Sequence, residues 1–232
     1  DLAVTNIFDN DVSILLGNGD GTFQYQVTYA VGSEPRGMVA GDFNGDGRAD
    51  LAVVDQSTND VTILIGNGDG TFQNEGTAAV GSKPVAMVAG DFNGDGHTDL
   101  AVVNSGDNDV SILLGSGDGT FQNQATYAVG FNPDAIAAGD FNGDGRTDLA
   151  VANLYDNDVS ILIGNGDGTF QNQVTYAVGD QPDAIVTGDF NGDGHTDLAV
   201  ADIGPTDIGD VSILMGNGDG TFTAQGMYAV GF

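Results

Sequence analysis

Apolar residues along this chain come in short runs, rich in Val, Ile and Ala, and each run is bounded by Gly, Asn, Asp or Pro. Runs of that kind are strand signals. None of them extends into the i, i+3, i+4, i+7 stripe of an amphipathic helix. The runs also recur. A segment Asp-Leu-Ala-Val begins at Asp1, Asp50, Asp99, Asp148 and Asp197, a step of 49 residues each time. Over the stretch 86–129 the pattern predicts four strands: A over 86–92, B over 99–103, C over 110–114 and D over 121–129. Asn-Gly-Asp-Gly turns at 18–21, 67–70, 165–168 and 217–220, with Ser116 opening the remaining copy, supply the positive φ that a tight hairpin between C and D needs.

Four short antiparallel strands repeated at this period predict an all-β chain, a β-propeller of four-stranded blades in five 49-residue repeats. Strand A, rich in small residues such as Val39, Ala40 and Gly41, suits the crowded innermost position. Two sets of phenylalanines are expected in the core between blades. Phe43, Phe92, Phe141 and Phe190 follow strand A, and Phe23, Phe72, Phe121, Phe170 and Phe222 open strand D. Five copies of B, C and D stand against four of A, so the first blade lacks its innermost strand. Residues 1–232 then form one propeller domain, either a ring closing on that incomplete blade or a stretch of a larger propeller or array. The last repeat carries three extra residues between B and C, including Pro205.

The segment joining A to B reads Gly-Asp-Phe-Asn-Gly-Asp-Gly-Arg-Ala-Asp at 41–50 and returns at 90–99, 139–148 and 188–197. Asp42, Asn44, Asp46 and Asp50 make the pattern D-x-N-x-D-G-x-x-D: oxygen donors at alternate positions, then a further carboxylate three residues past a glycine. A hard cation such as Ca²⁺ takes six to eight oxygens and is served by such a set. Gly47 lets the loop turn with φ > 0. An EF-hand is excluded, because position twelve is Val53, Val102, Val151 or Val200 instead of Glu, and the flanks are strands. An unmetallated acidic turn would crowd three mutually repelling carboxylates.

Composition narrows the function. Thirty-four acidic residues face four basic ones, Arg36, Arg48, Lys83 and Arg146, for a net charge of −30. That argues against nucleic acid and anionic membranes, both of which call for Lys/Arg patches. There is no Cys, hence no disulfide framework or thiolate chemistry. No apolar run approaches the ~18 residues of a membrane-spanning helix. His97 and His195 stand where the other loops have Arg, at exposed positions without recurring partners. The Asn-Gly-Asp-Gly turns lack the Lys and following helix of a phosphate-binding loop. Every recurrent Asp already has a ligand or turn role, so no enzyme is expected.

At these loops the chain resembles the FG-GAP/VCBS repeat family, the calcium-loop propellers of integrin α-subunits and many secreted proteins. The resemblance covers essentially the whole chain and implies a propeller with Ca²⁺ in each A–B loop. By position it implies four sites: Asp42, Asn44, Asp46 and Asp50; Asp91, Asn93, Asp95 and Asp99; Asp140, Asn142, Asp144 and Asp148; Asp189, Asn191, Asp193 and Asp197. The backbone carbonyls of Arg48, His97, Arg146 and His195 would each add one oxygen. The blade count departs from the seven common in the family, which bears on ring closure and not on the loops.

In an up-and-down blade the A–B and C–D connections share one face; the B–C turns and D–A connectors share the other. The first pair barely varies between repeats, whereas the second does. A rigid scaffold carrying variable loops at one end is how binding modules are built. Phe8, Tyr155 and Phe131 are the candidate apolar anchors for a protein or glycan ligand there. The expected function is a calcium-stabilised extracellular or cell-surface binding and adhesion module. Two alternatives stand beside it: a lectin-like or accessory propeller of a secreted polysaccharide-degrading enzyme, and a self-associating repeat of a surface filament.

Overall fold

The computed structural model describes residues 1–204 and 209–230, apart from the side chains at 123 and 124. The extension at Pro205 falls in 205–208, outside the described residues. All regular structure among the described residues is strand, and no helix is long and apolar enough to cross a membrane. The first sheet holds β1 (Leu2–Asn6), β2 (Asp11–Leu15) and β3 (Val27–Ala30). The second holds β4 (Pro35–Gly41), β5 (Asp50–Asp55), β6 (Asp60–Gly66) and β7 (Phe72–Ala79). The third holds β8 (Pro84–Gly90), β9 (Asp99–Asn104), β10 (Asp109–Gly115) and β11 (Phe121–Ala128). The fourth holds β12 (Pro133–Gly139), β13 (Asp148–Asn153), β14 (Asp158–Leu162) and β15 (Val174–Ala177). The fifth holds β16 (Pro182–Gly188), β17 (Asp197–Asp202), β18 (Asp210–Gly216) and β19 (Phe222–Ala229). Each is an antiparallel meander in sequence order, so the four-stranded blades and the three-stranded first blade stand as expected.

Strand A begins two residues earlier than the apolar pattern predicts, at Pro84, and ends at Gly90, which leaves Phe92 in the loop. Proline is tolerated as the first residue of a strand, where its missing N–H costs no ladder bond. The inner strands β4, β8, β12 and β16 lie side by side, and apolar clusters fill the space between consecutive sheets. Both sets of phenylalanines serve those interfaces. Phe43, Phe92 and Phe141 meet Phe121, Phe170 and Phe222 of the next blade edge to face, at 5.6, 5.8 and 5.4 Å between centroids. A backbone bond accompanies each pair: Gly119, Gly168 and Gly220 donate to the carbonyls of Phe43, Phe92 and Phe141. Phe190 and Phe23 are the exceptions, exposed at 48% and 43%, because they lie on the outward faces of the last and first sheets. Leu2, Val4, Val186 and Tyr228 on those two faces are exposed as well, so neither end sheet covers the other.

Each of the four complete repeats also buries one polar side chain at the end of strand B. Asp55, Asn104, Asn153 and Asp202 are all but inaccessible, and each keeps one Oδ1 without a partner. Asn104 and Asn153 donate through Nδ2 to Ser111 and Ser160 on strand C. Asp55 instead accepts the Thr62 hydroxyl at 2.6 Å. Burial pushes the Asp55 carboxyl up to about 6, against that hydrogen bond, which lowers it. The folded state therefore resists the ionised form. The cost is fully present above about pH 6 and is relieved as the pH falls toward the ordinary carboxylate value. Asp55→Asn, the residue three other repeats use, is expected to stabilise the fold by ~1–3 kcal/mol at pH 7.5. Thermal melts of variant and wild type should show that gain shrinking toward pH 4; a gain independent of pH would contradict the assignment.

Candidate functional site

The A–B loops and C–D turns lie against one another on one face of each blade. The loop side chains of Arg48, His97, Arg146 and His195 rest over Gly68, Gly117, Gly166 and Gly218 of the neighbouring turn, within 3.0 Å of where a Cβ would be. The two histidines are thus exposed loop side chains packed on a turn, with no metal-ligating cluster around them among the described residues.

Within each loop the oxygens take the loop's own N–H groups. Asp42 accepts from Asp46 N at 3.1 Å and Gly47 N at 2.9 Å, Asn44 Oδ1 from Asp46 N at 3.0 Å, and Asp46 Oδ1 from Arg48 N at 2.9 Å. Asp91, Asn93 and Asp95 repeat the pattern, as do Asp140, Asn142 and Asp144, and Asp189, Asn191 and Asp193. The His97 and His195 amides, and after them the Asn93 and Asn191 side chains, hold the Asp95 and Asp193 carboxyls below the usual range. Gly47 takes φ +80°, the left-handed turn required at that point. The donor set is all hard oxygen, with no thiolate or imidazole, and suits a cation such as Ca²⁺. Its members are turned onto backbone N–H groups, and no three acidic or His side chains converge as a cluster among the described residues.

The fourth member of each set is placed differently. Asp50, Asp99, Asp148 and Asp197 are 0% exposed at the start of strand B. Asp99 accepts Phe92 N and Gly115 N, both at 2.8 Å. Asp50, Asp148 and Asp197 do the same with Phe43 and Gly66, Phe141 and Gly164, and Phe190 and Gly216. Burial raises the Asp99 and Asp148 carboxyls despite those two bonds. Gly115 is required here: a Cβ would fall 2.2 Å from the Thr98 carbonyl oxygen. The spacing of the motif reveals the oxygens but not this clamp, because the second donor comes from the far end of strand C.

On the opposite face the connectors are pinned in a second way. Asn10, Asn59, Asn108 and Asn157 accept through Oδ1 the amides of Glu34, Lys83, Asn132 and Gln181 at 2.8–2.9 Å. A cavity of about 920 Å³ opens among these connectors and the B–C turns, with Glu34, Arg36, Lys83, Asn132 and Asp134 on its walls. Phe131 and Tyr155 come together at 5.5 Å between centroids, 54% and 58% exposed, and Tyr155 N donates to the Phe131 carbonyl. Phe8 stands apart, 97% exposed. The variable loops were legible in the sequence. The cavity was not, since its walls come from several repeats.

The family model for the FG-GAP-like repeat matches residues 1–53, 42–102, 91–151, 140–200 and 189–232. The chain belongs to the FG-GAP-like repeat family. No curated protein sequence matches it. Among solved structures, a Lactobacillus plantarum protein is similar with a TM-score of 0.78 at 16% identity, covering 97% of this chain and 67% of its own. The periplasmic gluconolactonase of Pseudomonas aeruginosa has a TM-score of 0.73 at 17% identity, covering 95% of this chain and 64% of its own. Likeness at these identities is likeness of fold: the FG-GAP repeats build a β-propeller arc spanning about two thirds of the length of either structure.

The buried and exposed members of the loop should separate experimentally. Asp99→Ala strands two buried amides and is expected to cost about 3 kcal/mol or more, with or without Ca²⁺. Asp95→Ala, on the exposed part of the same loop, should fall within about 0.5 kcal/mol of wild type in chelator and lose stability only in Ca²⁺. Urea melts in both buffers check this; equal losses for the two variants in chelator would refute it.

Proposed function

We propose that this FG-GAP propeller is a calcium-stabilised, non-catalytic recognition module of the extracellular space or cell surface, with its binding face at the B–C turns and D–A connectors. What carries the reading is the Phe131–Tyr155 pair: two large aromatic side chains from different loops, more than half exposed and held together, Phe131 being next in sequence to the cavity-wall residue Asn132. Such rigid, amphipathic anchors are what binding surfaces use. The A–B loops are nearly identical across repeats, as a structural element would be, while this face varies.

Asp42, Asn44, Asp46 and Asp50, with the Arg48 carbonyl, and their counterparts in the three later loops would hold one Ca²⁺ each. Bound there, the cation neutralises carboxylates that otherwise repel in a chain of net charge −30. Because the unfolded loop has no preformed site, binding energy becomes folding energy. Extracellular Ca²⁺ concentrations would keep even weak sites filled. Elemental analysis of the dialysed protein is expected to find about four Ca²⁺ per chain, and chelation to lower Tm by ~10 °C or more. Far fewer ions, or a Tm indifferent to chelator, would remove the calcium assignment.

Recognition is tested with a glycan array and a panel of immobilised matrix proteins, probed with the Ca²⁺-loaded chain. The triple variant Phe8→Ala, Phe131→Ala, Tyr155→Ala is expected to lose at least about tenfold in signal at an unchanged Tm. Undiminished binding by that variant would place recognition elsewhere on the molecule.

A further inference from the structure

The cavity on the recognition face carries more information than its shape. Arg48 and Arg146 lie 3.5 and 3.8 Å from Asp46 and Asp144 of their own loops. Arg36 and Lys83 both line the cavity, and among the described residues neither has a carboxylate within ion-pair distance. Arg36 Nε donates to the neutral Gln56 Oε1 at 3.2 Å. In a chain with thirty-four acidic residues and four basic ones, two cations outside ion-pair distance of any carboxylate among the described residues share one cavity, whose walls also carry Glu34 and Asp134.

The backbone beneath them is held in an uncommon conformation. Glu34, Lys83, Asn132 and Gln181 occupy the same place in successive connectors with φ of +57°, +50°, +53° and +57°. Left-handed backbone at a non-glycine residue is strained and persists only where its surroundings over-determine it. Each amide is fixed by the Asn of the preceding turn, and each carbonyl accepts from the following one. The frame is therefore constant while four different side chains are displayed, three of them into the cavity. The remaining walls include Gln56, Ser57, Ser82 and Ser105, and Asn132 adjoins the exposed Phe131.

We propose that this cavity binds an acidic saccharide, its carboxylate or sulfate held by Arg36 and Lys83, its hydroxyls by the amide and hydroxyl side chains of the walls, and a sugar-ring face by the Phe131–Tyr155 platform. Convergent polar groups beside an aromatic surface match a ligand that is polar at its edge and apolar on its faces. The volume of about 920 Å³ lies within the ~300–1,000 Å³ of small-ligand sites. The chain's overall negative charge is screened beyond about 8 Å at physiological salt, so the groups lining the cavity dominate once a ligand is inside it. Asp134 completes the wall as a hydroxyl acceptor, its carboxyl raised by burial and then by Asp183, against the smaller lowering by Arg36.

The inference rests on the recognition face proposed above and is tested apart from it. Calorimetric titration of the Ca²⁺-loaded chain with a hyaluronan tetrasaccharide, and with maltotetraose as the neutral control, should show the acidic sugar bound at least about tenfold more tightly. Arg36→Gln with Lys83→Gln should abolish that preference at unchanged Tm, while Phe131→Ala with Tyr155→Ala should weaken both sugars alike. Equal affinity for the two sugars, an unaltered preference in the double Gln variant, or no binding of the acidic sugar at millimolar concentration each overturns the proposal. Should the sugar fail while the array or matrix panel still loses signal in the triple Ala variant, the recognition face stands and only its ligand class falls.

Discussion

A buried carboxylate organises each complete blade. Asp50, Asp99, Asp148 and Asp197 have no solvent access, and each holds two backbone amides, one from the A–B loop and one from the end of strand C. A carboxylate in that position is costly unless its oxygens are satisfied. Once satisfied, it ties three strands of a meander together at one corner. The glycine that donates the second amide has no room for a side chain. The loop phenylalanine that donates the first packs against the next blade in the three interfaces between complete blades. One side chain thus couples the order of a loop to the packing between sheets.

The two faces of the arc follow from that division of labour. On the loop face, short turns bond to themselves: Asp69 accepts both the amide and the hydroxyl of Thr71, and the same arrangement recurs at Asp20, Asp118, Asp167 and Asp219. The Thr hydroxyl is the main cause of the lowered carboxyl in each of the five. Such local closure leaves little for a partner. On the opposite face the Asn clamps fix the backbone and leave the side chains free to differ, which is the arrangement a recognition surface needs.

Much of this was legible in the residues. Strand identity, the four-stranded repeat, the incomplete first blade and the sharing of faces all follow from period and turn chemistry, because each is a local property. Strand ends were less legible. Pro84 starts a strand where an apolar run begins only later, since proline is admitted at a first position that need not donate. Phe190 reads like Phe43, Phe92 and Phe141 yet is exposed, because burial depends on a neighbouring blade and not on the residue.

By itself the sequence determined the fold class, the register of the repeats and the oxygen-rich loops, all written within a span of 49 residues. Only the tertiary structure decided that the last carboxylate of each loop is a buried clamp, that Phe131 meets Tyr155, and that Arg36 and Lys83 share a cavity. Those relations join residues from different strands or different repeats. Spacing along the chain carries no record of which of them the curvature of the arc brings together.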